Sequence, residues 1–297
     1  MSFVNRLLRA TLTLPQGTFP GTNSNTLVLT NMRMAAHVEC AGNFTNSCDL
    51  HIWGMRQVDM NAVTVLWGQN GDPQTVVANA ILVLEANDET GWLQVFEGQF
   101  YDAQPEYKSL PDVSLLVSAK QGYAAQILIA APSSFAGAVD VAGLAEQLAA
   151  QMGFAFENNG VTGTLHSPYL PGTLMDQFRE LGKAAGFDYY FDAKSTLIIC
   201  PRNQPRLNQG STVISPTSGL VGYVTLTRNA GVEFDCIFTP AILLGSPIVI
   251  QDSDVPGTNG QWFPYQMTHE LESVKPGGRW FSHLQCLRFP ASAQGGT

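Results

Sequence analysis

Helical periodicity is confined to one stretch of this chain, residues 113–201, and this restriction limits the folds open to it. Strand-like runs at residues 113–117 and 195–200 enclose two short amphipathic segments there. On either side lie long segments of short apolar or alternating runs, divided by glycine, proline, asparagine and aspartate. The pattern therefore predicts a mainly β protein with a small α+β portion between two β-rich flanks.

Two helices are predicted in the central stretch. The first follows Asp140, a suitable N-cap, ends at Gly153, and carries one apolar face made of Val141, Leu144, Leu148 and Met152. The second follows Thr173, with Asp176 completing a capping box, ends at Gly186, and carries Leu174, Phe178, Leu181 and Ala185. Because neither is long enough to be stable alone, both should pack on strands at residues 154–156, 188–191 and 196–200.

Short strands recur in both flanks. In the first flank they are predicted at residues 9–14, 26–30, 33–41, 49–55, 64–67, 80–85 and 93–100. In the second flank they are predicted at residues 212–214, 221–226, 231–238, 247–251, 262–271 and 280–286. Strands of this length and spacing are typical of barrels and sandwiches. We therefore predict three domains: a β-barrel over residues 1–111, an α+β domain over 112–205 and a second β-barrel over 206–297.

The two flanks share a local arrangement. In the first, Ile81-Leu-Val-Leu is followed by the acidic turn Asn87-Asp-Glu-Thr and by Trp92. In the second, Ile248-Val-Ile is followed by Asp252-Ser-Asp254 and by Trp262. This echo is consistent with two similar barrels, and equally with two unrelated β-rich flanks. Both tryptophans are expected in barrel cores.

Charge and cysteine content exclude several classes of protein. Charged residues make up 13% of the chain and the net charge is -9, which argues against ordinary nucleic-acid binding because that needs a basic surface. So few charges suit a subunit that buries much of its surface, or simply a β-rich protein with polar loops. The five cysteines are odd in number and scattered, which favours reduced thiols in a cytoplasmic setting. The N-terminus lacks the features of a signal peptide, and no apolar run is long enough to span a membrane.

Four residues have the composition of a zinc site: His37, Cys40, Cys48 and His51. Side chains alternate between the faces of a strand, however, so each cysteine should point away from the histidine of its own strand. We therefore predict no metal site and expect cysteines packed inside a hairpin with exposed histidines.

The sequence also contains acids that would be needed in a glycoside hydrolase. The candidates, all near strand ends, are Glu97, Asp102, Glu270 and Glu272. No signature surrounds them, and the familiar hydrolase and nucleotide-binding motifs are absent. Three further histidines stand alone and favour structural or surface roles: His166, His269 and His283. The loop Lys275-Pro-Gly-Gly-Arg279 could hold an anion, but its Pro-Gly-Gly sequence favours a simple turn. We predict no catalytic, cofactor-binding or metal-binding residue.

Several motifs follow one another along the chain. They are Trp53-Gly-Met-Arg-Gln-Val-Asp-Met-Asn61, Phe96-Glu-Gly98, Pro111-Asp-Val-Ser114, Phe156-Glu-Asn-Asn-Gly-Val161, Ser167-Pro-Tyr-Leu-Pro-Gly-Thr173, Ser215-Pro-Thr-Ser-Gly-Leu-Val-Gly-Tyr223, Gly245-Ser-Pro-Ile-Val-Ile250, His269-Glu-Leu-Glu-Ser273 and Pro276-Gly-Gly-Arg-Trp280. In this order, and over nearly the whole chain, they resemble the tail hub (baseplate hub) proteins of bacteriophages.

The resemblance implies two β-barrel tube domains around an α+β domain, in a homotrimer whose six barrels join a sixfold tail tube to a threefold central spike. It implies as partners a tube or distal tail protein above, a spike protein below and other baseplate proteins. DNA would pass through the lumen without specific binding, since an acidic wall repels phosphates. The expected location is the virion tail tip, assembled in the host cytoplasm, with no membrane insertion and no enzymatic activity.

Two other functions stay open. A tail-associated peptidoglycan hydrolase would need two of the acids above in one cleft, one of them with a raised pKa. A carbohydrate-binding module would need exposed aromatic residues in a row, and the tryptophans are spread too evenly for that.

Overall fold

The computed structural model describes residues 6–65, 80–87, 91–108, 110–207, 209–228 and 230–290. Strands account for 47% of the chain and helices for 14%. The predicted fold class, mainly β with a small α+β insert, is therefore confirmed. Trp67 of the predicted strand at residues 64–67, and the residues after Asn87 in the acidic turn, lie outside the described residues.

Among the described residues the first flank contains six strands and one helix, and it is joined by a seventh strand, β7, which the sequence placed in the central stretch but which pairs with β4 and β6. They are β1 (Leu7–Thr13), β2 (Thr26–Thr30), β3 (Met34–Ala41), β4 (Ser47–Trp53), α1 (Gln57–Val63), β5 (Ile81–Asn87), β6 (Trp92–Glu106) and β7 (Ser114–Lys120). The strands form because small and apolar residues alternate with polar ones, as in β1, where Leu8, Ala10 and Leu12 are buried and their neighbours are half-buried.

The central stretch contains three helices and seven strands among its described residues. They are α2 (Tyr123–Ile127), β8 (Ser133–Ser134), β9 (Ala138–Asp140), α3 (Val141–Gln151), β10 (Ala155–Asn158), β11 (Thr164–His166), β12 (Tyr169–Leu170), α4 (Leu174–Ala185), β13 (Phe187–Phe191) and β14 (Thr196–Pro201).

Helices α3 and α4 begin and end as predicted. Asp140 accepts a hydrogen bond from the Gly143 N–H (2.7 Å), and Thr173 forms the full capping box with Asp176. Gly153 and Gly186 both have positive φ, of 83° and 72°. The buried faces of the two helices share one apolar core with β13 and β14, which includes Leu144, Leu148, Phe178, Leu181, Tyr189, Leu197 and Ile199. In this small sheet β10 runs parallel to β14 and β13 runs antiparallel to it.

The second flank contains six strands and a 3-10 turn among its described residues. They are β15 (Thr212–Ile214), β16 (Leu220–Leu226), β17 (Val232–Ile237), β18 (Ile248–Ile250), the 3-10 turn (Pro256–Thr258), β19 (Gly260–Ser273) and β20 (Trp280–Arg288).

By its internal contacts the chain divides into two compact units. The first comprises Met1–Glu39, Asn46–Ala124 and His269–Trp280, and the second comprises Cys40–Thr45, Ala125–Thr268 and Phe281–Thr297. Nothing in this division tests the three predicted domain ranges, which stay a prediction.

Among the described residues the strands of the two flanks belong to one 13-stranded sheet, and within it each flank has the same order of strands. The first runs β3-β4-β7-β6-β5-β1, with β2 added outside β1, and the second runs β16-β17-β20-β19-β18-β15. Each order begins with a hairpin (β3-β4 or β16-β17). The last strand of the flank (β7 or β20) comes next, then the long strand (β6 or β19), and then two strands that precede the long strand in the chain. One difference is that β1 is antiparallel to β5, whereas β15 is parallel to β18. β5 and β18, the strands that precede Trp92 and Trp262 in the sequence echo, occupy equivalent positions in these two orders.

Several expectations from the sequence were wrong. Thr64 and Val65 are not in a strand, because they follow the helix α1, and the Thr64 hydroxyl donates to the carbonyl of Met60 (2.8 Å). Trp92 is not in a barrel core but half-buried, with the Arg9 guanidinium 4.5 Å from its ring centroid, whereas Trp262 is buried as predicted. The four short strands β8, β9, β11 and β12 were not predicted, because two or three residues are too few to show a period.

Candidate functional site

The four residues with zinc-site composition lie on two faces of β3 and β4. Cys40 and Cys48 are on the buried faces of their strands, while His37 and His51 are on the opposite faces and partly exposed. His37 Nε2 lies 3.2 Å from Glu39 Oε1, and the His51 ring stacks on Trp53. Among the described residues no three His, Cys, Asp or Glu side chains are grouped as a metal ion requires.

A small cleft in the first compact unit brings His37, His51, Glu270 and Glu272 together. It has a volume of about 180 Å³ and is also lined by Ala35, Ala36, Asp49, Leu271 and Arg279. Glu97 and Asp102 do not line it. The histidines considered for a zinc site and the acids considered for a glycosidase thus line the same cleft. The sequence could not show this, because β3 and β19 are far apart in the chain.

Two of the three acids that line this cleft, Glu270 and Glu272, are paired with cations of the β19–β20 turn. Arg279 Nη1 lies 2.6 Å from Glu270 Oε2, and Glu272 accepts bonds from Lys275 Nζ (2.7 Å) and from the Arg279 N–H (2.8 Å). Burial opposes ionisation of Glu272, but these bonds outweigh it and bring the pKa of Glu272 below its usual value. A glycosidase acid needs a raised pKa, so Glu272 does not fit that role.

The remaining acids and histidines have structural surroundings. Glu97 accepts a bond from Gln94 (2.8 Å), and His283 Nδ1 lies 2.9 Å from Asp235 on the neighbouring strand. Asp102 accepts a long bond from Gln104, and His166 ends the short strand β11. Burial lowers the pKa of His269 to about 4. The Lys275-to-Arg279 loop is a turn, as predicted, closed by a bond from the Gly278 N–H to the Lys275 carbonyl (3.0 Å).

A larger cleft in the second compact unit was not predicted. Its volume is about 560 Å³, and three cations line it: Arg179, Lys183 and Arg202. At its rim the Asn43 amide donates to Asp188 (2.9 Å), and Phe44 is 65% exposed. The spacing of Arg179 and Lys183, four residues apart in α4, is the one sequence signal that could have indicated it. Such a cleft can accept carboxylate groups.

The thiols are inert in these surroundings. All five cysteines are buried and none is in a disulfide: Cys40, Cys48, Cys200, Cys236 and Cys286. Burial raises the pKa of Cys200 and of Cys236 to about 12, and that of Cys286 well above its ordinary value.

In the described part of the chain no helix is both long enough and apolar enough to cross a membrane.

The end of β19 covers the outer side of β3 in the first compact unit. β19 and β3 are neighbours in the sheet, and the hydroxyl of Ser273 donates to the Met32 carbonyl (2.8 Å). Leu271 and Ser273 are buried there, while Glu270 and Glu272 point into the small cleft. β3 is therefore not an open sheet edge.

β16, the counterpart of β3 in the second flank, has β17 as its neighbour on one side and ends the order of described strands. Its sequence, Leu-Val-Gly-Tyr-Val-Thr-Leu, contains no charged residue. Val221, Tyr223 and Leu226 are exposed, and Tyr223 has 70% of its surface accessible. Exposed, uncharged edges are rare in proteins that remain monomeric, because they invite pairing.

The fold is shared with proteins of phage tails and of a secretion system. A 43 kDa tail protein of prophage MuSo2 from Shewanella oneidensis has a TM-score of 0.64 at 11% identity, with 96% of this chain and 97% of that chain covered. A tail protein from Neisseria meningitidis MC58 has a TM-score of 0.62 at 10% identity, with 95% and 96% covered. The E. coli c3393 protein, a component of the type VI secretion system, has a TM-score of 0.66 at 9% identity, with 94% and 77% covered. No curated protein sequence matches.

These similarities define the class: the chain has a phage tail protein fold. It belongs, more closely, to the family described as Baseplate hub gp41, which its sequence matches over residues 7–277. The resemblance drawn from the sequence motifs is confirmed, and the chain has a structural role in the baseplate of a phage tail.

Proposed function

We propose that this chain forms a homotrimeric ring that joins a sixfold tail tube to a threefold central spike and encloses part of the DNA ejection channel. The observation that carries the proposal is the repeated strand order of the two flanks. A chain with two similarly ordered sets of strands presents two similar surfaces, so three copies present six. This number matches a sixfold tube above, while the three chains match a threefold partner below.

The proposed parts follow the predicted domains. Residues 1–111 and 206–297 are the two β-barrel tube domains, and residues 112–205 are the α+β domain between them. The proposed partners are a tail tube or distal tail protein, a spike protein and other baseplate proteins. The similarity to c3393 supports this choice, since that protein is described as structurally similar to the T4 bacteriophage tail proteins gp27 and gp5.

The charge of the chain supports passage of DNA rather than its binding. A net charge of -9 repels phosphates, so a duplex in the lumen would slide without adhering. We propose assembly in the host cytoplasm before incorporation into the virion.

We also propose that the chain acts without catalysis. In the small cleft Glu270 and Glu272 are held by Arg279 and Lys275, and the pKa of Glu272 is lowered rather than raised. Zymography of the purified chain on peptidoglycan checks this directly. We expect no clearing, and clearing that disappears in the Glu270→Gln variant would contradict the proposal.

Electron microscopy of the assembled tail tests the ring itself. We expect a threefold ring with six barrel-sized lobes around an open channel. One copy per tail, or three copies without a central opening, would overturn the proposal.

A further inference from the structure

The strand repeat also indicates how neighbouring copies meet. Within the first compact unit, the end of β19 and the following turn, His269–Trp280, cover the outer side of β3. β19 is the long strand of the second flank and β3 is the first hairpin strand of the first flank. In this contact the end of the long strand of one repeat packs beside the first hairpin strand of the other repeat.

In the reverse combination, the described residues place no strand beside the free edge of β16, although the 3-10 turn Pro256–Thr258 lies near this strand. β16 is the hairpin edge of the second flank, and it is uncharged, exposed and last in the strand order. β6 is the long strand of the first flank, and it ends at the β6–β7 tip, which we define as Tyr107, Lys108 and Leu110. All three residues are exposed, and Leu110 has 72% of its surface accessible. An exposed, uncharged edge and an exposed tip with two apolar residues thus occupy the counterpart positions.

We propose that the β6–β7 tip of one copy covers the β16 edge of the next copy, repeating between chains the contact that β19 makes with β3 inside each chain. This inference rests on the ring proposed above. The interface is heterologous, because the tip and the edge are different surfaces, and heterologous contacts close into a ring when the rotation between copies is right. Two alternating contacts of the same kind, one within and one between chains, are what six similar positions in three chains require.

The chemistry of the two surfaces fits this pairing. β16 exposes Val221, Tyr223 and Leu226 and carries no charge. Contact with an apolar partner therefore removes apolar surface from water at this edge, which is favourable. The tip offers Tyr107 and Leu110 for this purpose. Lys108 lies between these two residues in the sequence, and its flexible side chain can keep the ammonium group in water at the rim of the contact. Asp112, just beyond the tip, lies 4.0 Å from Arg33 within its own chain.

The first arm of the test compares two substitutions of exposed residues by light scattering after size exclusion, over a series of concentrations. Tyr223→Asp places a charge on the β16 edge, and Val58→Asp places one on α1, where Val58 is 50% exposed. Neither side chain is needed for the fold of the free chain, and circular dichroism verifies this. We expect Tyr223→Asp to raise the concentration for half-assembly on the order of tenfold to a hundredfold, as for loss of a central aromatic contact, with Val58→Asp unchanged.

The second arm locates the contact. The variant with both Lys108→Cys and Tyr223→Cys is treated with a short bismaleimide and run on a denaturing gel. We expect covalent dimers and trimers from the double variant, and none from either single variant or from the wild type, whose five cysteines are buried.

The outcomes separate the ring from the interface. A trimeric wild type with a trimeric Tyr223→Asp variant and no cross-linking overturns the interface and leaves the ring standing. Cross-linking of Tyr223→Cys alone also overturns it, because two β16 edges would then face each other. A wild type that is monomeric at every concentration overturns the proposed ring, and this inference with it.

Discussion

Arg206 is almost completely buried, and its Nη2 atom lies 2.7 Å from Oε2 of Glu157. Its Nε atom lies 3.2 Å from the other carboxylate oxygen, so the pair is bidentate and links β10 to the segment after β14. Burial alone would raise the pKa of Glu157, but the bonds from Arg206 and Asn159 outweigh it and the pKa is lowered. This ion pair, together with the bond from the Leu207 N–H to Asn159 Oδ1 (2.8 Å), thus links the α+β portion to the start of the second flank.

Removal of either partner should destabilise the fold. We expect Glu157→Ala to lower the free energy of unfolding by roughly 1–3 kcal/mol, because it leaves a buried guanidinium without its counter-ion. Urea unfolding of Glu157→Ala, Arg206→Ala and the double variant measures the coupling between the two side chains. The exposed pair Lys183–Glu180, also 2.7 Å apart, is the matched control, and there we expect a coupling of about 0.5 kcal/mol or less. Equal couplings for the two pairs would contradict this account.

The sequence could not indicate the Glu157–Arg206 pair, since 49 residues separate the two. The central helices, in contrast, were predictable down to their caps, because Asp140, Thr173, Gly153 and Gly186 act on their own backbone within a few residues. Most strands were predictable for a similar reason: alternation is a local property. What alternation cannot reveal is the order of strands in a sheet.

The caps lead to a second prediction. We expect Thr173→Ala to cost about 1 kcal/mol of unfolding free energy, since the Asp176 N–H loses its acceptor, the Thr173 hydroxyl (3.1 Å), while the bond from the Thr173 N–H to the Asp176 carboxylate can persist. Thr173→Ser keeps the hydroxyl and should cost much less. Thermal unfolding followed by circular dichroism compares the two variants, and equal losses would show that the methyl group, rather than the cap, matters.

The two tryptophans of the sequence echo should differ in their effect on stability. Trp262 is 4% exposed and its indole N–H donates to the Thr258 carbonyl (2.8 Å), so we expect Trp262→Ala to cost about 3–5 kcal/mol. Trp92 is half-buried beneath Arg9, and Arg9 keeps its ion pair with Glu85 when the ring is removed. For Trp92→Ala we therefore expect a loss of about 1–2 kcal/mol.

Chemical unfolding of the two alanine variants, with Trp→Phe at each position as a milder control, measures this difference. A loss at Trp92 as large as the loss at Trp262 would mean that Trp92 has a buried role, as the sequence echo suggested. Composition could not have distinguished them. Each of the four described tryptophans has an arginine near its ring, the pairs being Arg33–Trp53, Arg9–Trp92, Arg288–Trp262 and Arg6–Trp280.

The candidate surfaces were the least predictable part of the molecule. His37 and Glu270 were each noticed in the sequence, yet for unrelated chemistries, and only the pairing of β3 with β19 places them in one cleft. The β16 edge gave no signal at all, because an uncharged strand reads the same in the middle of a sheet as at its edge. Tertiary neighbours, not local preference, decide which strand is left for a partner.

The last prediction concerns pH and His269. This side chain is 5% exposed, and burial lowers its pKa to about 4, whereas an unfolded chain has a histidine pKa near 6.5. The unfolded state therefore binds a proton between these two values that the folded state does not. Stability due to His269 is complete above about pH 6.5 and is lost as the pH falls towards 4, by about 1.4 kcal/mol per pH unit.

Urea unfolding at several pH values between about 4 and 7 measures this slope, and His269→Gln should reduce it because glutamine does not titrate. Carboxylates with lowered pKa values, such as Glu157 and Glu272, contribute to the slope in both proteins, so the difference between wild type and variant isolates the histidine. His166→Gln, at an exposed position at the end of β11, is the matched control for the substitution itself. If His269→Gln and wild type show the same slope, the imidazole is protonated in the folded state and burial is not what sets its charge.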